Sequence, residues 1–148
     1  MTYTTTLYDT DFALWAEQTA QMLKNGRLSE VDLENLIEEV EDLSRRERDA
    51  LYSNLKIVLL HLLKWEFQPH KQTNSWSASI LEHRQRIKRQ IKKSPSLKSY
   101  PEEILSDCYT DARELTSVET GLPLDTFPAE CPYAIALILS PEFLPSAI

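Results

Sequence analysis

Eight cations gather in the middle of the chain: Lys64, Lys71, Arg84, Arg86, Lys88, Arg89, Lys92 and Lys93. Held together on an accessible face, such a set neutralises phosphates, and counterion release then supplies most of the affinity for a nucleic acid. Trp76 and Tyr100 stand nearby as aromatic candidates for stacking a base. On a helical wheel of roughly 100° per residue, however, the cations between 84 and 93 wrap the whole non-core surface instead of forming one stripe. That pattern reads first as a solvated or internally paired face. A protein or oligomer contact comes next, and nucleic acid after it.

A second constellation is spaced by sevens. Leu33, Val40, Glu47, Asn54 and His61 lie on one seam, so three polar residues continue a line begun by two apolar ones. Polar groups facing a core must find partners, and such groups often fix register or oligomer state. Successive members are about 10.5 Å apart along a helix axis, so no two of them can ligate one metal ion. A metal or ligand pocket at His61 therefore needs further groups, with His83, His70 and Cys108 the candidates. A buried polar layer of Glu47, Asn54 and His61 is the preferred reading, and a bundle binding a metal or ligand around His61 is the weaker alternative.

Other residue types suggest less chemistry. Glu34, Glu38, Glu41 and Asp42 form an acidic ridge, with Glu41–Arg45 and Asp42–Arg46 spaced for helical ion pairs. A calcium site needs six to eight converging oxygens, and this pattern does not write one. Cys108 and Cys131 sit on apolar faces at no metal-binding spacing, where thiols are usually inert. The sequence carries no Glu-x-x-His, His-Glu-x-x-His, phosphate-binding Gly-Lys-Ser/Thr loop or Gly-x-Ser-x-Gly elbow. No catalytic residue, metal or cofactor is nominated, and a non-enzymatic role is expected.

The elements that must position these residues are helices. Two glycines in 148 residues leave little provision for tight turns or Gly-rich loops. A first helix is predicted over 11–24, capped by Asp9 or Thr10 and ended by Asn25-Gly26. A second opens at Ser29-x-x-Asp32 and runs to about Trp65, with a kink expected near Ser44 or Ser53. Its residues Leu33, Leu36, Val40, Leu43, Ala50, Leu51 and Val58 share one side, and Ile57–Leu63 is apolar nearly all round. A third helix starts at Asn74 or Ser75 and ends before Ser94, and a fourth covers Pro101–Thr120. A short fifth is expected over Pro132–Leu139. The expected fold is all-α, a single compact bundle of about five helices with one long central helix, occupying 1–148 as one domain.

Charge is sorted along that bundle. Residues 1–63 are net −6, residues 64–98 net +7 and residues 99–148 net −8, within a total of −7. The acidic flanks are expected to neutralise the basic third helix within the molecule. The overall acidity disfavours nonspecific nucleic-acid binding. No apolar run approaches a membrane span, and residues 1–6 carry no export signal. A cytoplasmic protein is expected, contacting an unknown protein partner, with a second copy of the chain as one candidate.

Several phrases in one order resemble a bacterial, largely cyanobacterial, family called domain of unknown function 29. They are Tyr8-Asp9-x-Asp11-Phe12-x-x-Trp15, Leu33-Glu34-Asn35-Leu36-Ile37-Glu38-Glu39-Val40-Glu41 and Leu62-Leu63-Lys64-Trp65. Ser75-Trp76 followed by Arg84, Ser94-Pro95-Ser96-Leu97, and Gly121-Leu122-Pro123 leading to Cys131-Pro132-Tyr133 complete the set. The resemblance implies a compact helical protein. It brings no activity, substrate, cofactor or catalytic residue with it.

Overall fold

In a computed structural model describing residues 6–146, the chain opens with one helical turn, α1 (Leu7–Thr10), which periodicity did not reveal. Residues 1–5, within the stretch read as lacking an export signal, and residues 147–148 lie outside the described residues. Because Asp9 and Thr10 belong to α1, the cap of the next helix falls to Asp11. Its carboxylate accepts from the Leu14 backbone N–H at 3.1 Å and starts α2 (Phe12–Lys24). Gly26, at φ 72°, supplies the left-handed turn that follows.

Asp32 rather than Ser29 caps α3 (Leu33–Phe67), accepting from the Asn35 backbone at 3.3 Å and from its side-chain amide at 2.7 Å. Ser29 instead lies in a 3₁₀ turn, Leu28–Glu30. α3 is one helix of 35 residues, continuous through Ser44 and Ser53. Thr73 caps α4 (Asn74–Lys93) through the Trp76 N–H at 3.2 Å. Pro101 sits in the first turn of α5 (Tyr100–Thr120), where its missing N–H costs nothing, and Gly121 ends that helix at φ 74°. The fifth predicted helix contracts to a single turn, α6 (Ile135–Ile138).

The fold is therefore all-α, with no strand among the described residues. Between Arg46 and Glu47 the chain divides into two compact units, α3 running through both. In the unit 47–148, α3 contributes Leu55, Val58, Leu59, Leu62 and Leu63 to a core completed by Ile80, Ile87, Cys108, Tyr109, Phe127, Tyr133 and Ile138. The long non-helical stretch after α5 is held by side chains bonding to backbone. Tyr109 donates to the Pro128 carbonyl at 2.6 Å, and Arg113 donates twice to the Phe127 carbonyl at 3.1 and 3.0 Å. Tyr133 donates to the Glu66 carboxylate at 2.7 Å. These bonds anchor a segment with little helix of its own, so that its Phe127 and Tyr133 are buried without stranding the carbonyls beside them.

The unit 1–46 is smaller. Tyr8, Phe12 and Trp15 form an aromatic cluster, with Tyr8 edge-on to Trp15 at 4.8 Å between centroids. The Tyr8 hydroxyl donates to Glu39 at 2.5 Å, tying α1 to α3. The stripe of α3 predicted to face a core does so only in part. Leu51 and Val58 are buried, whereas Leu33, Val40 and Leu43 are 61%, 58% and 58% exposed.

Candidate functional site

The exposed stripe borders an open groove. Within the unit 1–46, α2 and the first turns of α3 leave a cavity of about 320 Å³ between them. Buried Trp15 and Thr19 underlie it, Ala16, Ala20 and Leu23 line it from α2, and Leu36, Val40 and Leu43 line it from α3. Small residues on one helix facing larger ones on the other leave room for inserted side chains. Glu39 and Arg46 border the groove and pair at 3.4 Å. The hydrogen bond to Glu39 holds the Tyr8 phenol protonated, its pKa raised to about 12. The unit as a whole is acidic, with ten Asp and Glu against four Lys and Arg in residues 1–46.

The cations singled out from sequence go to different fates. Arg84 is not on the accessible face: it is only 5% exposed, and its Nε donates to the Ile138 carbonyl at 2.7 Å. A second, longer bond runs from Nη2 to the Leu137 carbonyl at 3.4 Å. Burial lowers its pKa. Arg86 pairs with Glu82 on its own helix at 2.8 Å, and Lys64 lies over the Trp76 ring at 4.6 Å from the centroid. Tyr100, the other stacking candidate, carries Arg48 at 5.7 Å. Lys71, Lys88, Arg89, Lys92 and Lys93 are exposed.

Among the described residues, no ion pair joins the basic stretch 64–98 to either acidic flank. Pairing with the acidic flanks, expected from the order of charges, is thus not formed among the described residues; the described ion pair of this stretch, Arg86–Glu82, lies within α4. The reason is local. The inward faces of α4 and α5 are largely apolar, and apart from buried Arg84 and half-buried Arg113 their charges are exposed to water, where long side chains gain little from pairing.

The seam residues Glu47, Asn54 and His61 are all half-buried. Glu47 accepts from the Gln90 amide at its backbone and, at 3.3 Å, at its carboxylate. The Oε1 of that same Gln90 is buried with no partner. His61 Nδ1 donates to the Ile57 carbonyl at 2.9 Å, and His83 Nδ1 does the same to Ser79 at 2.7 Å. Burial, the largest influence, pushes the His61 pKa down. His70 is exposed and Cys108 is fully buried. Among the described residues, no group of three His, Cys, Asp or Glu side chains is placed to hold a metal ion. Burial also drives the Cys108 thiol up to about 12 and raises that of Cys131, so neither is primed as a nucleophile.

Sequence reasoning nominated the polar seam and the basic helix but missed the groove. The available signal was an apolar stripe on the second predicted helix longer than the helices offered to cover it. Fold and surface together define an all-α protein with an open apolar groove, an exposed basic helix face and no described metal cluster. No helix of the described residues is long and apolar enough to cross a membrane. The chain belongs to the family described as domain of unknown function DUF29, whose model matches residues 7–144. No curated protein and no solved structure matches it.

Proposed function

We propose that the protein is a non-enzymatic interaction module whose groove between α2 and α3 docks a basic amphipathic helix of another protein. The observation that carries this reading is the exposure of Leu33, Val40 and Leu43 on a helix that further along buries Leu51, Leu55, Val58, Leu59, Leu62 and Leu63. Large apolar side chains left open in a row, next to a groove, are the usual substrate of helix-in-groove recognition. The excess of acid over base in residues 1–46 selects a cationic partner and disfavours a second copy of the same unit, since like charges would meet. The same reading places the protein in a bacterial cytoplasm, where Cys108 and Cys131 stay reduced.

The test is capture of partners from the native lysate by wild type and by a Val40→Asp/Leu43→Asp variant, with and without nuclease. A partner retained by wild type through nuclease treatment, lost by the variant, and found to bind through a basic amphipathic segment supports the proposal. Partners retained equally by both proteins overturn it. Light scattering distinguishes the remaining occupant: dimeric wild type and monomeric variant would assign the groove to a second copy.

A second reading rests on exposed Lys88, Arg89, Lys92 and Lys93, none of them in a described ion pair. It assigns the face of α4 to nucleic acid. Retardation that weakens steeply with salt and vanishes in a Lys88→Glu/Arg89→Glu/Lys92→Glu variant supports it. Binding unchanged by that variant removes it.

A further inference from the structure

Arg84 is a buried charge without a counter-charge. Its Nε and Nη2 are taken by the carbonyls of Ile138 and Leu137, which satisfy donors but carry no net charge. Among the described residues, no carboxylate pairs with it. A cation in this position is poorly compensated, because desolvation is offset only by good hydrogen bonds together with an opposite charge. The guanidinium borders a cleft of about 330 Å³ between α4 and the segment after α6. Leu81, Ile91, Leu139 and Pro141 wall this cleft, and Lys88, one helical turn from Arg84, also faces it. No Asp or Glu lines it.

Two cations of α4 set among aliphatic side chains of α4 and of the segment after α6, with Gln85 the remaining polar lining residue, make an amphipathic container. We propose that the cleft binds a small amphipathic carboxylate, with the anionic head between Arg84 and Lys88 and an aliphatic body against Leu81, Ile91, Leu139 and Pro141. The volume is at the low end of small-molecule sites, which suits a body of medium length rather than a long-chain lipid. Glu142 is the internal competitor. It lines an adjoining cavity of about 320 Å³ that shares Leu81, Arg84 and Pro141, yet it forms no described ion pair with Arg84. Arg84 thus keeps no counter-charge from among the described residues, at a position where it lines the cleft. The inference is independent of the α2–α3 groove.

The experiment uses the full chain and octanoate as probe, followed by amide chemical shifts and thermal shift. Octan-1-ol, octylamine and acetate are the comparisons. Octanoate is expected to bind saturably and raise the melting temperature, with octanol at least about tenfold weaker and acetate and octylamine without effect. Arg84 also staples the C-terminal segment, so the informative variants are at the exposed positions: Lys88→Glu and Leu81→Asp should each lower octanoate affinity about tenfold. Val40→Asp, in the other groove, should leave that affinity unchanged. Octanol binding as tightly as octanoate, octanoate affinity surviving both cleft variants, loss of affinity in Val40→Asp, or no saturable binding would each overturn the proposal.

Discussion

Leu43 and Leu59 are the same residue type on the same helix, and truncating each should have very different consequences. Fully burying a leucine side chain is worth about 1.5–3 kcal/mol. Leu43 is 58% exposed, so roughly two-fifths of that transfer is realised and Leu43→Ala leaves no enclosed cavity. The expected cost is about 0.6–1.2 kcal/mol at most. Leu59 is 0% exposed in the core, and its alanine variant loses the whole transfer term and opens a void. About 2–5 kcal/mol is expected there, a large share of the roughly 5–15 kcal/mol typical of a domain. Urea unfolding of both variants at two protein concentrations, with unchanged slopes, measures the difference. A Leu43→Ala cost matching that of Leu59→Ala at both concentrations would refute the claim that this face is uncovered. A match at the higher concentration alone would show a second copy covering it.

Tyr133→Phe should cost about 1–3 kcal/mol in the same assay, because it removes a hydrogen bond to the charged Glu66 carboxylate at 2.7 Å; a neutral result would mean that Glu66 finds water instead. His61 is favoured in its neutral form in the fold, by burial and, less strongly, by Lys64, so its folded pKa lies below the ordinary 6.5. Its contribution to stability is complete above pH 6.5 and is lost as pH falls from there through the lowered folded value, because the unfolded chain takes the proton first. Melting temperatures between pH 7.5 and 5 should fall less in His61→Asn than in wild type, and parallel profiles would reject that linkage. Cys108, fully buried with its thiol at about 12, should resist iodoacetamide at pH 8 until urea unfolds the chain; rapid labelling of the native protein would contradict this. We expect residues 1–46 and 47–148 to unfold in one transition, since α3 belongs to both, and two resolved calorimetric peaks would show separate domains.

The helices were legible because their ends are chemical. Gly121 and Pro101 bound α5 as read, and Pro69 follows the end of α3. Start positions were less secure where several capping residues crowd together. Asp9, Thr10 and Asp11 can all cap in principle, and the choice among them depended on whether residues 7–10 close a turn of their own. That turn is closed locally, with the Thr6 hydroxyl donating to Asp9 at 2.9 Å and the Thr10 hydroxyl to the Thr6 carbonyl at 3.1 Å. It is tied to α3 by the hydrogen bond from Tyr8 to Glu39, 31 residues away in sequence, which no local pattern encodes. The fifth helix was over-extended for a related reason. Pro132–Leu139 has helical apolar content, but Tyr133 is pulled to Glu66 and Ile138 to Arg84, so only one turn survives.

The candidate sites were less legible, because charge order along a chain does not say which side chains face each other. A basic stretch between two acidic ones suggested internal neutralisation, yet Arg84 turned inward to carbonyls while Lys88 and its exposed neighbours faced water. Periodicity placed Val40 and Val58 on one stripe of α3, and nothing in the spacing said that only Val58 would be covered. Coverage depends on how many elements pack against each part of a helix. Within the unit 1–46, the first turns of α3 have α1 and α2 beside them, helices of only 4 and 13 residues. A helix that outruns its partners must leave an apolar face open, fill it with polar residues, or reserve it for another molecule. Here Leu33, Val40 and Leu43 stay apolar, so the second solution was not taken. An unused open face carries an aggregation risk that a polar substitution would remove at little cost to the fold, and that imbalance is the physical reason for assigning the groove a partner.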